Sequence, residues 1–65
     1  MKLDKEKVKL CIARAKLTKK ELAARYGVST ARMFAILAKD EVTLICAGRL
    51  AAALGVDVSE IVKED

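Results

Sequence analysis

The chain has 65 residues, 34% of them charged, with 13 Lys/Arg against 9 Asp/Glu and a formal net charge of +4. A chain this short makes one domain, residues 1–65, and buries only about 60% of the surface its unfolded form exposes. It has no histidine, its two cysteines (Cys11 and Cys46) stand far apart, and no apolar run approaches the roughly 20 residues of a membrane span. These features speak against a metal site, a disulfide framework and a transmembrane protein.

The first element begins within MKLDKEKVKL, a basic stretch without the apolar core of a signal peptide, so a cytoplasmic protein is expected. Leu3 precedes the capping residue Asp4, and Val8 follows four positions after the cap. The same design recurs at Leu17-Thr18 with Leu22, Val28-Ser29 with Met33, Val42-Thr43 with Ala47, and Val56-Asp57 with Ile61. Each is a hydrophobic staple around an N-cap whose side-chain oxygen can accept from a free N–H of the first helical turn. Thr18…Glu21 and Asp57…Glu60 have the spacing of capping boxes. Gly27 after AARY and Gly55 after AAAL are placed to end helices in the left-handed conformation.

These signals predict helices near 5–16, 19–26, 30–38, 44–54 and 58–63. No segment alternates with period two over a useful length, so strands are not expected. The fold class is all-α, a compact five-helix bundle with short connections. Within it Cys11 and Cys46 read as small buried hydrophobes, and a bridge between them would need their two helices to pack together. Gly48, inside the fourth helix, is expected to allow close approach of another helix. Tyr26 is expected to pack beside Gly27.

The stretch KELAARYGVSTARMFAIL carries the most specific arrangement. Ala23 supplies a small residue where two steeply crossing helices meet, and Gly27 a residue free to adopt positive φ between them. Val28, Met33 and Ile36 fill the angle. This is the pattern of a helix-turn-helix over about residues 19–38. With LAAALGVDVSEI from Leu50 to Ile61, the chain resembles, from about Lys5 to Val62, the small helix-turn-helix regulators related to phage repressors and Cro. The resemblance implies a lambda-repressor-like fold and a double-stranded DNA partner. It further implies a transcriptional regulator, repressor-like, acting as a homodimer on an inverted repeat with its third helix in the major groove. No cofactor, metal or small-molecule ligand is implied.

Charge agrees with such a partner. Residues 1–39 carry eleven Lys/Arg against three acids, and residues 40–65 carry two against six. A basic half suits a polyanion. Lys19 and Lys20 open the second helix, where the macrodipole prefers anions, and a phosphate would complete that site. The residue matching Lys19 commonly touches the DNA backbone in the resembled family. Ser29 at the start of the third helix offers donors of the kind phosphates use, and Lys39 follows that helix. Asp40-Glu41 occupy a loop that in relatives often holds basic residues, and they would repel a phosphate that approached them.

Rotation by about 100° per residue from Met33 puts Ile36 and Leu37 on the inner side of the third helix and Ala31, Ala35 and Ala38 opposite, flanked by Arg32 and Phe34. The base-facing positions implied by the resemblance are Thr30, Ala31 and Ala35, with Arg32 beside them. Only Thr30 and Arg32 can make polar contacts, and alanine methyls discriminate bases weakly against the ~1–3 kcal/mol of a bidentate pair. The expected readout is sequence-specific or semi-specific, with a short consensus tolerant of A/T. The late segment VDVSEIV, with Val58, Ile61 and Val62, is the expected dimer surface, with Val58 and Val62 exposed. The alternative is a protein-interaction module on the same frame, docking a partner through Ala31, Phe34, Ala35 and Ala38. An enzyme is not expected: no nucleophile stands with a base, and the pairs Asp40-Glu41 and Glu64-Asp65 suit solvation.

Overall fold

Capping residues, more than long apolar runs, organise this chain. The structure, a computed structural model describing residues 1–63, contains α1 (Lys5–Ala15), α2 (Lys19–Tyr26), α3 (Thr30–Ala38), α4 (Leu44–Leu54) and a three-residue 3₁₀ turn, Val58–Glu60. The pair Glu64-Asp65 lies outside the described residues. The protein is all-helical, with four α-helices among the described residues.

Every expected cap is made. Asp4 accepts from Lys7 N at 3.2 Å, Ser29 Oγ from Arg32 N at 3.1 Å, and Thr43 Oγ1 from Cys46 N at 3.1 Å. At α2 the box closes in both directions: Thr18 Oγ1 accepts from Glu21 N at 3.1 Å while Glu21 Oε1 accepts from Thr18 N at 3.0 Å. A cap of this kind contributes about 1 kcal/mol. Gly27 (φ 95) and Gly55 (φ 72) end α2 and α4 in the left-handed region. Lys16 (φ 55) ends α1 in the same way, a conformation that a non-glycine residue adopts at a cost of roughly 1 kcal/mol.

The fifth expected helix is corrected to the single 3₁₀ turn, and the Asp57…Glu60 box does not form. Asp57 Oδ2 accepts instead from Ser59 N at 3.1 Å and Ser59 Oγ at 2.6 Å, while Glu60 N donates to Asp57 O. The turn cannot continue, because Ile61 is pulled into the core and Val62 pairs with Leu3 in an extended backbone.

The core joins Leu22 and Ala23 of α2, Met33 of α3, and Ala47, Leu50, Ala51 and Leu54 of α4 to Val8, Cys11 and Ile61. Leu22, Met33, Leu50 and Ile61 are its largest fully enclosed side chains. α4 lies centrally against α1, α2 and the 3₁₀ turn, whereas α3 leans chiefly on α2. Both cysteines are free: Cys11 is buried and Cys46 half-buried. Gly48 is a further correction. A Cβ there would meet no atom within 4 Å, so no helix approaches closely at that point.

A strap at the start of the chain closes the fold. Leu3 N donates to Asp40 O and Val42 N to Met1 O on one side, each at 2.9 Å; on the other, Asp4 N donates to Ile61 O and Lys63 N to Lys2 O, also at 2.9 Å. Residues 1–3 thus run between the α3–α4 loop and the segment after the 3₁₀ turn, as two isolated antiparallel bridges, Lys2 with Glu41 and Leu3 with Val62. Pairing this brief has no alternating signature in the sequence.

Candidate nucleic-acid interface

The turn Gly27-Val28-Ser29 sets α3 across α2, and the packing of Met33 and Ile36 decides which side of α3 faces outward. Met33 is wholly buried and Ile36 nearly so; Ala31, Arg32, Phe34, Ala35 and Ala38 are exposed. Thr30, in the first turn, is half-buried and so presents only part of its side chain. The outer face of α3 is therefore a narrow strip of methyl groups. Its width follows from the helical repeat: Ala31, Ala35 and Ala38 cluster together, with Phe34 along one edge and Arg32 and Lys39 along the other.

Cations stand on both edges. On the Phe34 side, Lys19 Nζ lies 4.8 Å from the centre of the phenyl ring, a cation–π contact that brings the start of α2 up against α3. Phe34 itself is 50% exposed. Lys20, next along α2, is exposed. Ser29 Oγ is used as an acceptor by the cap of α3, which leaves its O–H directed by rotation alone.

On the Arg32 side an open cleft of about 290 Å³ runs between α3 and α4. It is lined by Tyr26, Arg32, Lys39, Cys46 and Arg49, with Val42, Thr43 and Ile45 at the start of α4. Tyr26 Oη donates to Cys46 Sγ at 3.4 Å across its floor. That hydrogen bond, aided by partial burial, raises the phenol's pKa, while the guanidiniums of Arg49 and Arg32 pull it the other way. Tyr26 thus packs against the core as expected and also forms a wall of the cleft.

The acidic loop residues are turned elsewhere. Asp40 Oδ1 pairs with Lys5 Nζ at 3.2 Å, and Glu41 lines a separate hollow with Met1, Lys2, Val62 and Lys63. The strap that binds residues 40–42 is what holds them there. The ion pairs among the described residues are Lys5–Asp40, Lys9–Glu6 and Arg14–Glu60, so Lys19, Lys20, Arg32, Lys39 and Arg49 have no carboxylate partner among those residues.

The expected dimer surface does not survive as drawn. Ile61 is fully buried and Val62 is 8% exposed, both within their own chain, and Val58 is half-buried against the core. Sequence reading does not single out Arg49, which lines the cleft with Arg32 and Lys39. Its signal was present: it is the lone cation of α4, three residues after Cys46 and so on the same helical face. Among the described residues, no three Cys, Asp and Glu side chains gather in a way that could hold a metal ion. Comparison with known family models, with curated proteins and with solved structures finds no match for this chain.

Proposed function

We propose that this protein binds double-stranded DNA as a helix-turn-helix regulator of the phage repressor and Cro type, with α2 and α3 as the motif and α3 entering the major groove. The observation that carries this reading is the open outer face of α3 between two cationic edges, Lys19 on one side and Arg32 and Lys39 on the other, with Lys20 exposed beside Lys19 at the start of α2, none paired with a carboxylate among the described residues. Two phosphate-bearing strands flank a major groove, and a helix with cations on both flanks matches that charge pattern. Ser29 and Thr30 add hydroxyls at the helix start. Ala31 and Ala35, facing the bases, supply van der Waals contact and little discrimination. A lambda-repressor-like arrangement, a repressor-like role, a place with the cytoplasmic nucleoid and pairing of two copies on an inverted repeat complete the proposal. Pairing then uses a surface other than the buried Ile61 and Val62.

Random-sequence duplex titrated at low and at moderate salt tests this, with the double variant Lys19→Glu, Lys20→Glu in parallel. Both positions are exposed, so circular dichroism of the variant should match the parent. The expected result is binding that weakens steeply with salt and falls by roughly tenfold or more on charge reversal. A folded protein that ignores duplex even at low salt refutes the reading. The half-exposed Phe34 and the alanines beside it would then favour the alternative, a docking face for a protein partner.

A further inference from the structure

We infer that the cleft between α3 and α4 is a phosphate-binding subsite, with Arg49 as a binding residue alongside Arg32 and Lys39. The inference deepens the proposed DNA-binding reading and rests on it for the source of the phosphate, though not for the chemistry of the cleft. Three cations from three segments converge there: Arg32 from α3, Lys39 from the residue that ends it, and Arg49 from the middle of α4. No carboxylate lines the cleft, and none of the three cations has an ion-pair partner among the described residues.

Like charges gathered around one hollow repel one another unless an anion sits among them. Asp40 and Glu41 are the nearest acids in sequence to Lys39, and the strap directs them to Lys5 and to a different hollow. The neutral groups suit a phosphate as well. Tyr26 Oη donates to Cys46 Sγ and stays a neutral phenol, and Thr43 Oγ1 accepts from Cys46 N, which leaves its O–H free to donate to an anion. Two guanidiniums can each present paired N–H donors to phosphate oxygens, a geometry lysine lacks. The cleft opens along the Arg32 edge of α3, so a duplex lying on the alanine strip would bring one strand's backbone to it, opposite the strand near Lys19.

Arg49→Ala and Lys63→Ala provide the test, since both side chains are exposed and make no hydrogen bond or ion pair among the described residues. In duplex titrations over a range of salt, Arg49→Ala should weaken binding about tenfold at low salt and flatten the slope of log K against log salt by about one. Lys63→Ala, in the other hollow, should match the parent. If duplex binds the parent but Arg49→Ala behaves like it, or Lys63→Ala loses as much, the cleft is not a subsite and the DNA-binding reading still stands. If no duplex binds, that reading fails and the cleft is judged by inorganic pyrophosphate alone. Amide resonances of Thr43–Cys46 that move with pyrophosphate in the parent and not in Arg49→Ala keep the subsite for a free phosphate group. Unmoved resonances overturn it.

Discussion

α3 and α4 are both short, alanine-rich and apolar, yet they do opposite things. α4 buries Ala47, Leu50, Ala51, Ala53 and Leu54, while α3 buries only Met33 and Ile36. In α4 Ala47, Ala51 and Ala53 lie inward, with Ala52 alone of its alanines exposed, letting neighbouring helices come close; in α3 Ala31, Ala35 and Ala38 all lie outward, making a smooth strip that another molecule can approach. Composition does not separate the two. What separates them is the number of packing partners, since α4 touches α1, α2 and the 3₁₀ turn and α3 leans mainly on α2. An alanine-rich helix is thus a core element or a contact surface according to how many sides the chain covers.

The largest expected effect tests that contrast directly. Leu50→Ala should destabilise the fold by about 2–5 kcal/mol, because a fully enclosed leucine leaves both lost contacts and a cavity. Ala35→Gln, on the exposed strip, should change stability by less than about 0.5 kcal/mol. Urea titration of both variants checks the pair, and a comparable loss at Ala35 would show that the strip is covered. A smaller gain is expected inside α4. Gly48→Ala should stabilise by about 0.5–1 kcal/mol, because the new methyl meets nothing and the helix loses a residue of high unfolded-state entropy. A fall in melting temperature there would mean that another surface closes on α4.

The smallest effect separates the starts of the helices by pH. Glu21 in the α2 box is held below its ordinary pKa of 4.5 by the Thr18 backbone N–H, and Asp57 below 3.8 by its hydrogen bonds from Ser59. A carboxylate with a lowered folded-state pKa contributes stability that is complete above its unfolded value and is lost as the pH falls through the folded one. The melting temperature should therefore decline below about pH 4.5, and Glu21→Gln should reduce the decline. α3 and α4 start on the hydroxyls of Ser29 and Thr43, which do not titrate in this range. Ser29→Ala should accordingly leave the shape of the acid profile unchanged, and melting curves across pH for the two variants make the comparison.

Much of this architecture is legible in single residues. The caps at Asp4, Thr18, Ser29, Thr43 and Asp57, the stops at Gly27 and Gly55, and the inward Met33 and Ile36 all follow from local rules, because a helix end or a helical face involves residues only a few positions apart. The stop at Lys16 lacks such a mark, since a lysine in the left-handed region has no glycine to announce it.

The candidate interface divides along the same line. Arg32, Phe34 and the outward alanines follow from helical rotation, whereas Lys19, Lys20 and Lys39 follow from their places at the start of α2 and the end of α3, with Lys19 also implied by the family resemblance. Arg49 joins that edge only because α4 folds back beside α3. The burial of Ile61 and Val62, the open space around Gly48 and the diversion of Asp40 and Glu41 all depend on contacts between residues distant in sequence. By itself the sequence determined where helices begin, where most of them stop and which way each one faces. Tertiary structure alone decided which of those faces stay uncovered and which charges meet across a cleft, because both depend on packing partners that no local pattern encodes.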